Sequence, residues 1–237
     1  MTGNQIWLCA EYHFPTDYSL RVPLSSATSA LALPAPGPAT VRLAIIRVGI
    51  ELFGVDQVRD KLFPIIRAIP VRIKPPARVA ISKQFLQLIK VSDSGQSGQS
   101  VGYREVAQAD GAMSVFINVP DHTVNIFTRI LWDVGYWGQA SSLTCCLGVS
   151  NRRPQPGECA TSLATAWKKS SRDNNKRAAF TCLATEFRDH HVSWREVVTS
   201  AGNNVANAVV KPEIYIWPLQ IIEQYSSHKL LIFQSIY

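Results

Sequence analysis

The chain has 237 residues, 46% of them apolar and only 17% charged, with 24 Lys+Arg against 17 Asp+Glu and a formal charge of +7. That apolar content excludes a wholly disordered chain, and the length fits one large domain or one domain with a substantial appendage. The positive excess stands on a surface otherwise rich in Ser, Thr, Gln and Asn, which points towards a polyanionic partner.

Gln5 to Phe14 alternates Ile6, Leu8, Ala10, Tyr12 and Phe14 on one face, with Trp7 and Cys9 opposite. The pattern predicts a central strand. A loop rich in Ser, Ala and Pro follows, and Gly37-Pro38 then starts a helix, since proline at the first helical position lacks only an N–H that would be unpaired anyway. The helix is expected over Ala39 to Phe53, with Val41, Ile45, Val48 and Leu52 as its stripe, Arg42, Arg47 and Glu51 as its charges and Gly54 as its end. Asp56 can cap a second short helix carrying Val58, Leu62, Ile65 and Ile69, kinked or ended by Pro64. Two extended segments follow, Val71 to Lys90 and Tyr103 to Val119, joined by SDSGQSGQS, which reads as a loop. Asp121 is expected to cap a helix with the stripe Val124, Phe127, Leu131 and Val134, stopped by Gly135. SSLTCCLGV then reads as a buried strand.

The order strand, helix, strand, strand, helix, strand is the split βαβ, or ferredoxin-like, pattern of an α+β domain, in which helices cover one face of an antiparallel sheet. Two parts follow: residues 1–150 as this domain, and 151–237 as a basic loop with a β-rich extension containing strands near Ala178–Phe187, Glu213–Trp217 and Lys229–Ile236. The first residues, MTGNQIWLCAEYHF, lack the pattern of a signal peptide. The longest apolar run, LAIIRVGI, is interrupted by Arg47, which argues against a membrane span. Five cysteines without a CxxC pair (Cys9, Cys145, Cys146, Cys159 and Cys182) suit a reduced, cytoplasmic setting with neither a zinc site nor a disulfide framework. Cys145 and Cys146, in an apolar strand, are expected to be buried and inert.

Charge is local. Arg152, Arg153, Lys168, Lys169, Arg172, Lys176 and Arg177 stand against Glu158 and Asp173, so residues 151–177 carry +5 of the net +7. This stretch can follow a phosphate backbone, with Trp167 stacking on a base, or it is simply a solvated loop. A sparser set, Arg67, Arg72, Lys74, Arg78 and Lys83, surrounds the extended segments. Motifs for phosphate loops, nucleophile elbows, zincins and dinucleotide binding are absent. Glu186 and His190 could share a helix face as a ligand pair, though polar residues at a strand edge explain them better. Tyr12, His13 and Asp17 could supply acid–base groups for RNA cleavage, but no spacing singles them out. Near the second helix, GYWGQASS sets two glycines, two aromatics and two hydroxyls in a short turn suited to a phosphate and a stacked base. Trp132 reads as core, whereas Tyr136 and Trp137 are open to either role.

Two of these stretches carry a family resemblance. The proline-punctuated entry to the long helix, Leu33-Pro34-Ala35-Pro36-Gly37-Pro38-Ala39-Thr40-Val41-Arg42, and the glycine-bounded turn Gly135-Tyr136-Trp137-Gly138-Gln139-Ala140-Ser141-Ser142-Leu143 together resemble the Cas-five family of CRISPR-associated RAMP proteins. The resemblance covers roughly residues 5–150. It implies an RRM-like ferredoxin fold with a projecting β-hairpin thumb between Val71 and Val119. It implies a non-catalytic subunit of a type I Cascade complex in antiviral defence, gripping the 5′ handle of crRNA beside backbone and large subunits. It makes Thr40, Arg42, Tyr136, Trp137, Gln139, Ser141 and Ser142 the expected RNA contacts. The basic loop becomes a second nucleic-acid contact, with target DNA as a further candidate partner, and neither metal nor cofactor is called for. Two rivals stand beside this reading: a metal-independent endoribonuclease (or backbone subunit) of the same superfamily, using His13, His190 or His191, and a protein-interaction module without RNA binding.

Overall fold

The computed structural model describes residues 4–25, 29–91, 97–165, 180–189, 191–199, 209–225 and 230–237. In chain order the strands are β1 (Gln5–His13), β2 (Ser29–Ala30), β3 (Val71–Lys74), β4 (Arg78–Val91), β5 (Ser97–Asp110), β6 (Met113–Pro120), β7 (Cys145–Asn151), β8 (Thr161–Ser162), β9 (Phe180–Phe187), β10 (Val210–Trp217), β11 (Leu219–Tyr225) and β12 (Leu230–Ser235). The helices are α1 (Pro38–Phe53), α2 (Val55–Gln57), α3 (Phe63–Ile66), α4 (Val124–Trp132) and a short one at Trp194–Thr199, with a π-helical turn, Val58–Leu62, between α2 and α3.

The first sheet has the order β3-β6-β1-β7, with every neighbouring pair antiparallel. One face carries Leu8, Ala10, Tyr12, Val71, Ile73, Val115 and Ile117 into the main core beneath α1 and α4. The opposite face carries Cys9 and Phe116 into a smaller cluster with Cys159 and the partly buried Trp7. Because β1 and β6 are inner strands covered on both faces, their near-continuous apolar character follows.

Local chemistry sets the boundaries. Pro38 opens α1 behind Gly37, and Gly54, at φ 82°, closes it by donating its N–H to the Ile50 carbonyl at 2.9 Å. Pro64 falls in the first turn of α3, where its missing N–H costs least, directly after the π turn that absorbs the change of direction. The expected extended segments each divide in two. Pro75 and Pro76, which cannot donate to a ladder, separate β3 from β4, and Gly111 at φ 92° turns β5 into β6. The loop expected over 92–100 is shorter: Ser97 to Ser100 pair with Leu88 to Val91 in the β4–β5 hairpin, because a facing strand supplies the ladder that their polar, glycine-rich sequence does not advertise. At 14 residues per strand the hairpin reaches roughly 45 Å. Among the described residues, β12 pairs with Arg78–Ile81 at its base, and β2 with Tyr103–Arg104 near its middle.

Three expectations for the second helix and the strand after it need correction. Asp121 makes no side-chain cap; Asp121–Thr123 form a 3-10 turn leading into α4. Gly135 does not stop the helix, which ends at Trp132. The next strand is not buried. β7 lies at the sheet edge with alternating, mostly exposed positions; Cys145 is exposed and Cys146 only half-buried. A bulge opposite Glu11 and Tyr12 turns Leu147 outward, leaving it 57% exposed.

The C-terminal strands do not stand apart. β12 joins the hairpin in the five-stranded sheet β11-β12-β4-β5-β2, while β8-β10-β9 form a third sheet. β9 lies against the start of α1. A Cβ on Gly37 would sit 3.0 Å from both the N and the O of Thr185, so any larger residue would press on the β9 backbone.

Candidate nucleic-acid interface

The two family-like stretches meet in space. Thr40, Leu43, Ala44 and Arg47 of α1 and Tyr136 and Gly138 of the turn after α4 line one cleft of about 200 Å³. The spacing of 40, 43, 44 and 47 places the four side chains on one face of the helix. The turn is fixed from within. The Trp137 N–H donates to the Ser142 carbonyl at 3.1 Å, the Ser142 N–H to the Gln139 carbonyl at 2.9 Å, and the Thr144 N–H to the Gly135 carbonyl at 2.9 Å. Gly138 adopts φ 67°, the left-handed conformation that lets the turn close beside α1.

Trp137 anchors this loop rather than serving a ligand. It is fully buried, edge-on to Tyr12 with ring centroids 4.9 Å apart, and the Tyr12 hydroxyl donates to the Leu131 carbonyl at 2.7 Å. Burial pushes the Tyr12 phenol well above its usual pKa, so it is no acid–base group at neutral pH. Ser142 is buried too: its Oγ accepts from the Ser19 N–H at 3.2 Å and lies 3.4 Å from the Ser19 carbonyl, tying the turn to the segment after β1. Gln139 and Ser141 project from the tip, exposed. Trp132, expected in the core, is 49% exposed: it follows Leu131 by one residue, about 100° around the helix from the buried stripe.

Arg47 is the residue that the sequence did not single out. Its guanidinium centre lies 3.7 Å from the centroid of the Tyr136 ring, and its Nη1 donates to Glu51 at 3.1 Å. Tyr136 is half-buried, and the Glu51 carboxylate is largely in solvent, so an exposed ion pair of this kind holds Arg47 weakly against a competing anion. A guanidinium stacked on an aromatic, beside a threonine hydroxyl and a glycine turn, suits a phosphate flanked by a base. The helical spacing from Thr40 to Arg47 was the available signal.

Arg42 behaves oppositely. It is buried, pairs with Glu186 of β9, donates through Nη2 to the Ile69 carbonyl at 2.9 Å, and lies 5.4 Å from the centroid of the Phe187 ring. Tyr215 Oη donates to Glu186 Oε2 at 3.2 Å. Glu186 therefore sits on a strand and binds an arginine; it is not half of a helical ligand pair, and His190 lies outside the described residues.

The basic stretch divides. Lys168, Lys169, Arg172, Lys176, Arg177 and Trp167 lie outside the described residues. Arg153 is exposed, whereas Arg152 donates to Glu158 at 3.1 Å and stands over the Phe116 ring. In the sparser set, Lys74 and Lys83 pair with Glu158 and Glu105. His13 belongs to a separate cleft of about 410 Å³ with Arg78, Asp110 and Glu223, away from Tyr12's buried hydroxyl. Among the described residues no three His, Cys, Asp or Glu side chains gather as a metal site, and no helix is long and apolar enough to cross a membrane.

A protein of Archaeoglobus fulgidus named CRISPR-associated protein Cas5 is 24% identical over 155 residues, 63% of this chain and 67% of that protein. The chain is similar to Cas5. Protein-family models give no match. Among solved structures, a CRISPR protein from Archaeoglobus fulgidus aligns with 97% of this chain and 92% of its own at 12% identity and a TM-score of 0.47. A CRISPR RNA-guided surveillance complex aligns with 77% and 76% at 13% identity and a TM-score of 0.40.

Proposed function

We propose that the protein is a non-catalytic subunit of a CRISPR surveillance complex that binds and caps the 5′ handle of crRNA. The observation that carries this reading is the cleft between α1 and the Tyr136–Ser142 turn, where Thr40 of one family-like stretch meets Tyr136 and Gly138 of the other, with Arg47 stacked on Tyr136 at its wall. On this reading Arg47 and Thr40 hold a backbone phosphate, Tyr136 offers a face to a base, and Gln139 and Ser141 reach a neighbouring nucleotide. Arg42, Trp137 and Ser142 support the site from behind. The four-stranded sheet with α1 and α4 would be the ferredoxin-like, RRM-like core of residues 1–150, and the β4–β5 hairpin its thumb. Residues 151–237 would form the extension, with other complex subunits and target DNA as further partners in the cytoplasm.

The test is binding of repeat-derived RNA across a salt series, with and without EDTA. The reading expects binding that weakens steeply with salt and intact RNA in both conditions. Salt-indifferent or absent binding refutes RNA recognition. Cleavage that survives EDTA and is lost in His13→Ala, His190→Ala or His191→Ala would instead make the protein a metal-independent endoribonuclease.

A further inference from the structure

The face of the first sheet that points away from α1 and α4 is covered by its own chain. After β7, the segment Arg152–Ala160 crosses this face from one side to the other. It is tied at one end by the Arg152 N–H to the Trp7 carbonyl of β1 at 3.1 Å, and at the other by the Ala160 N–H to the Ile73 carbonyl of β3 at 2.8 Å. Beneath it lie Trp7 and Cys9 of β1 and Phe116 of β6, with Cys9 directly opposite Phe116 in the ladder. Arg72 and Lys74 of the edge strand β3 face the same way, opposite Phe116 and Ser114.

Trp7 and Phe116 on the two inner strands, with cations along the edge, make up the kind of surface on which a four-stranded sheet stacks unpaired bases. Here the strap fills the position over Phe116 and the one beside the edge cation. The Arg152 guanidinium lies 4.6 Å from the Phe116 ring centroid, where a base would stack. Glu158, only 4% exposed, takes the place of a phosphate: Arg152 reaches it at 3.1 Å, Lys74 at 3.4 Å, and the Gln155 N–H at 2.6 Å. Burial alone would raise the Glu158 carboxyl, but the Gln155 N–H and the two cations outweigh it and hold its pKa below the usual value, so the strap presents an anion at neutral pH. Two residues on from Phe116, Asn118 faces the same way, beyond the strap, at a cleft of about 340 Å³ that Ile65, Ala68, Ile69 and Pro70 also line; its Oδ1 is buried with no partner among the described residues. An acceptor left in that state awaits a donor such as a base amino group.

We propose that Arg152–Ala160 is an intramolecular occupant of a base-stacking face, and that single-stranded nucleic acid reaches Trp7 and Phe116, with Asn118 beside them, only when the strap lifts. This face is distinct from the cleft at Arg47, and its failure would leave the handle reading intact.

The strap can be loosened from two sides. Glu158→Ala removes the anion that both cations hold. Gly157→Ala places a side chain at φ +87°, with its Cβ driven into the Tyr237 ring and hydroxyl. A photoactivatable oligouridylate, crosslinked to the full chain and mapped by mass spectrometry, reads the outcome. The expected result is no crosslink at Trp7 or Phe116 in the parent protein, and crosslinks there with at least about fivefold tighter binding in the loosened variants, the gain being abolished by adding Phe116→Leu. No gain in either variant, a gain that survives Phe116→Leu, or crosslinking at Trp7 in the parent protein would each overturn the proposal.

Discussion

Helix α1 carries two arginines five residues apart, and the fold treats them in opposite ways. Around Arg42 the helix is closed: β9 lies across Gly37, the Arg42 side chain is 6% exposed, and its charge is met by Glu186. Around Arg47 the helix is open: the guanidinium lies against Tyr136 at the wall of a cleft, its ion pair exposed and replaceable. The same residue type is thus locked into the fold in one turn and left available to a ligand in the next. What decides is which neighbour arrives, a strand from the C-terminal extension or a turn from the family-like core.

Breaking the closed half should have the largest effect. Arg42→Ala leaves Glu186 partly buried without its cation and should cost about 3–5 kcal/mol in chemical denaturation, because removing one member of a buried pair strands the other. An Arg42→Ala variant as stable as the parent would mean that β9 does not dock on α1. Gly37→Ala comes next. Its Cβ would meet the Thr185 backbone at 3.0 Å, and the expected loss is about 1–3 kcal/mol, with faster amide exchange along β9. Unchanged exchange there would show that the close approach is not kept in solution.

The open half should show the reverse signature. Arg47→Ala should leave denaturation nearly unchanged, a surface substitution within about 0.5 kcal/mol, while repeat-RNA affinity falls roughly tenfold through lost phosphate contact and stacking. Smallest of all, Gln139→Ala with Ser141→Ala at the exposed tip should weaken binding by less than about fivefold, the scale of a pair of neutral hydrogen bonds. A larger loss from the tip than from Arg47 would move the contact out of the cleft.

The same contrast separates what the sequence displayed from what it concealed. The stripe Val41, Ile45 and Val48, the Gly37-Pro38 start and the Gly54 end were all readable, because helix periodicity and terminal chemistry are local. Strands β9, β10 and β12 were visible as apolar runs, yet their destination was not: Glu186 read as a polar residue at a strand edge, with no sign that β9 would set it against Arg42, more than a hundred residues away in sequence. The tryptophans show the same limit. Trp132 sits in the apolar helix but points away from it, and Trp137, in a glycine turn, goes fully into the core. Ser97–Ser100 read as loop because a hairpin partner, not composition, makes them a strand. In the candidate cleft, Tyr136 and Thr40 lie within the family-like stretches. Arg47 was passed over, since a charge on a helix face stands out only once the facing turn is in place.

The proposed function requires Arg47 to neutralise a phosphate of the bound strand, and the salt dependence of binding measures that directly. For repeat-derived RNA, the plot of log affinity against log salt should lose about 0.7 from its slope in Arg47→Ala relative to the parent protein, with stability unchanged. An Arg47→Ala variant that binds with the parent's affinity and the parent's slope would contradict that role.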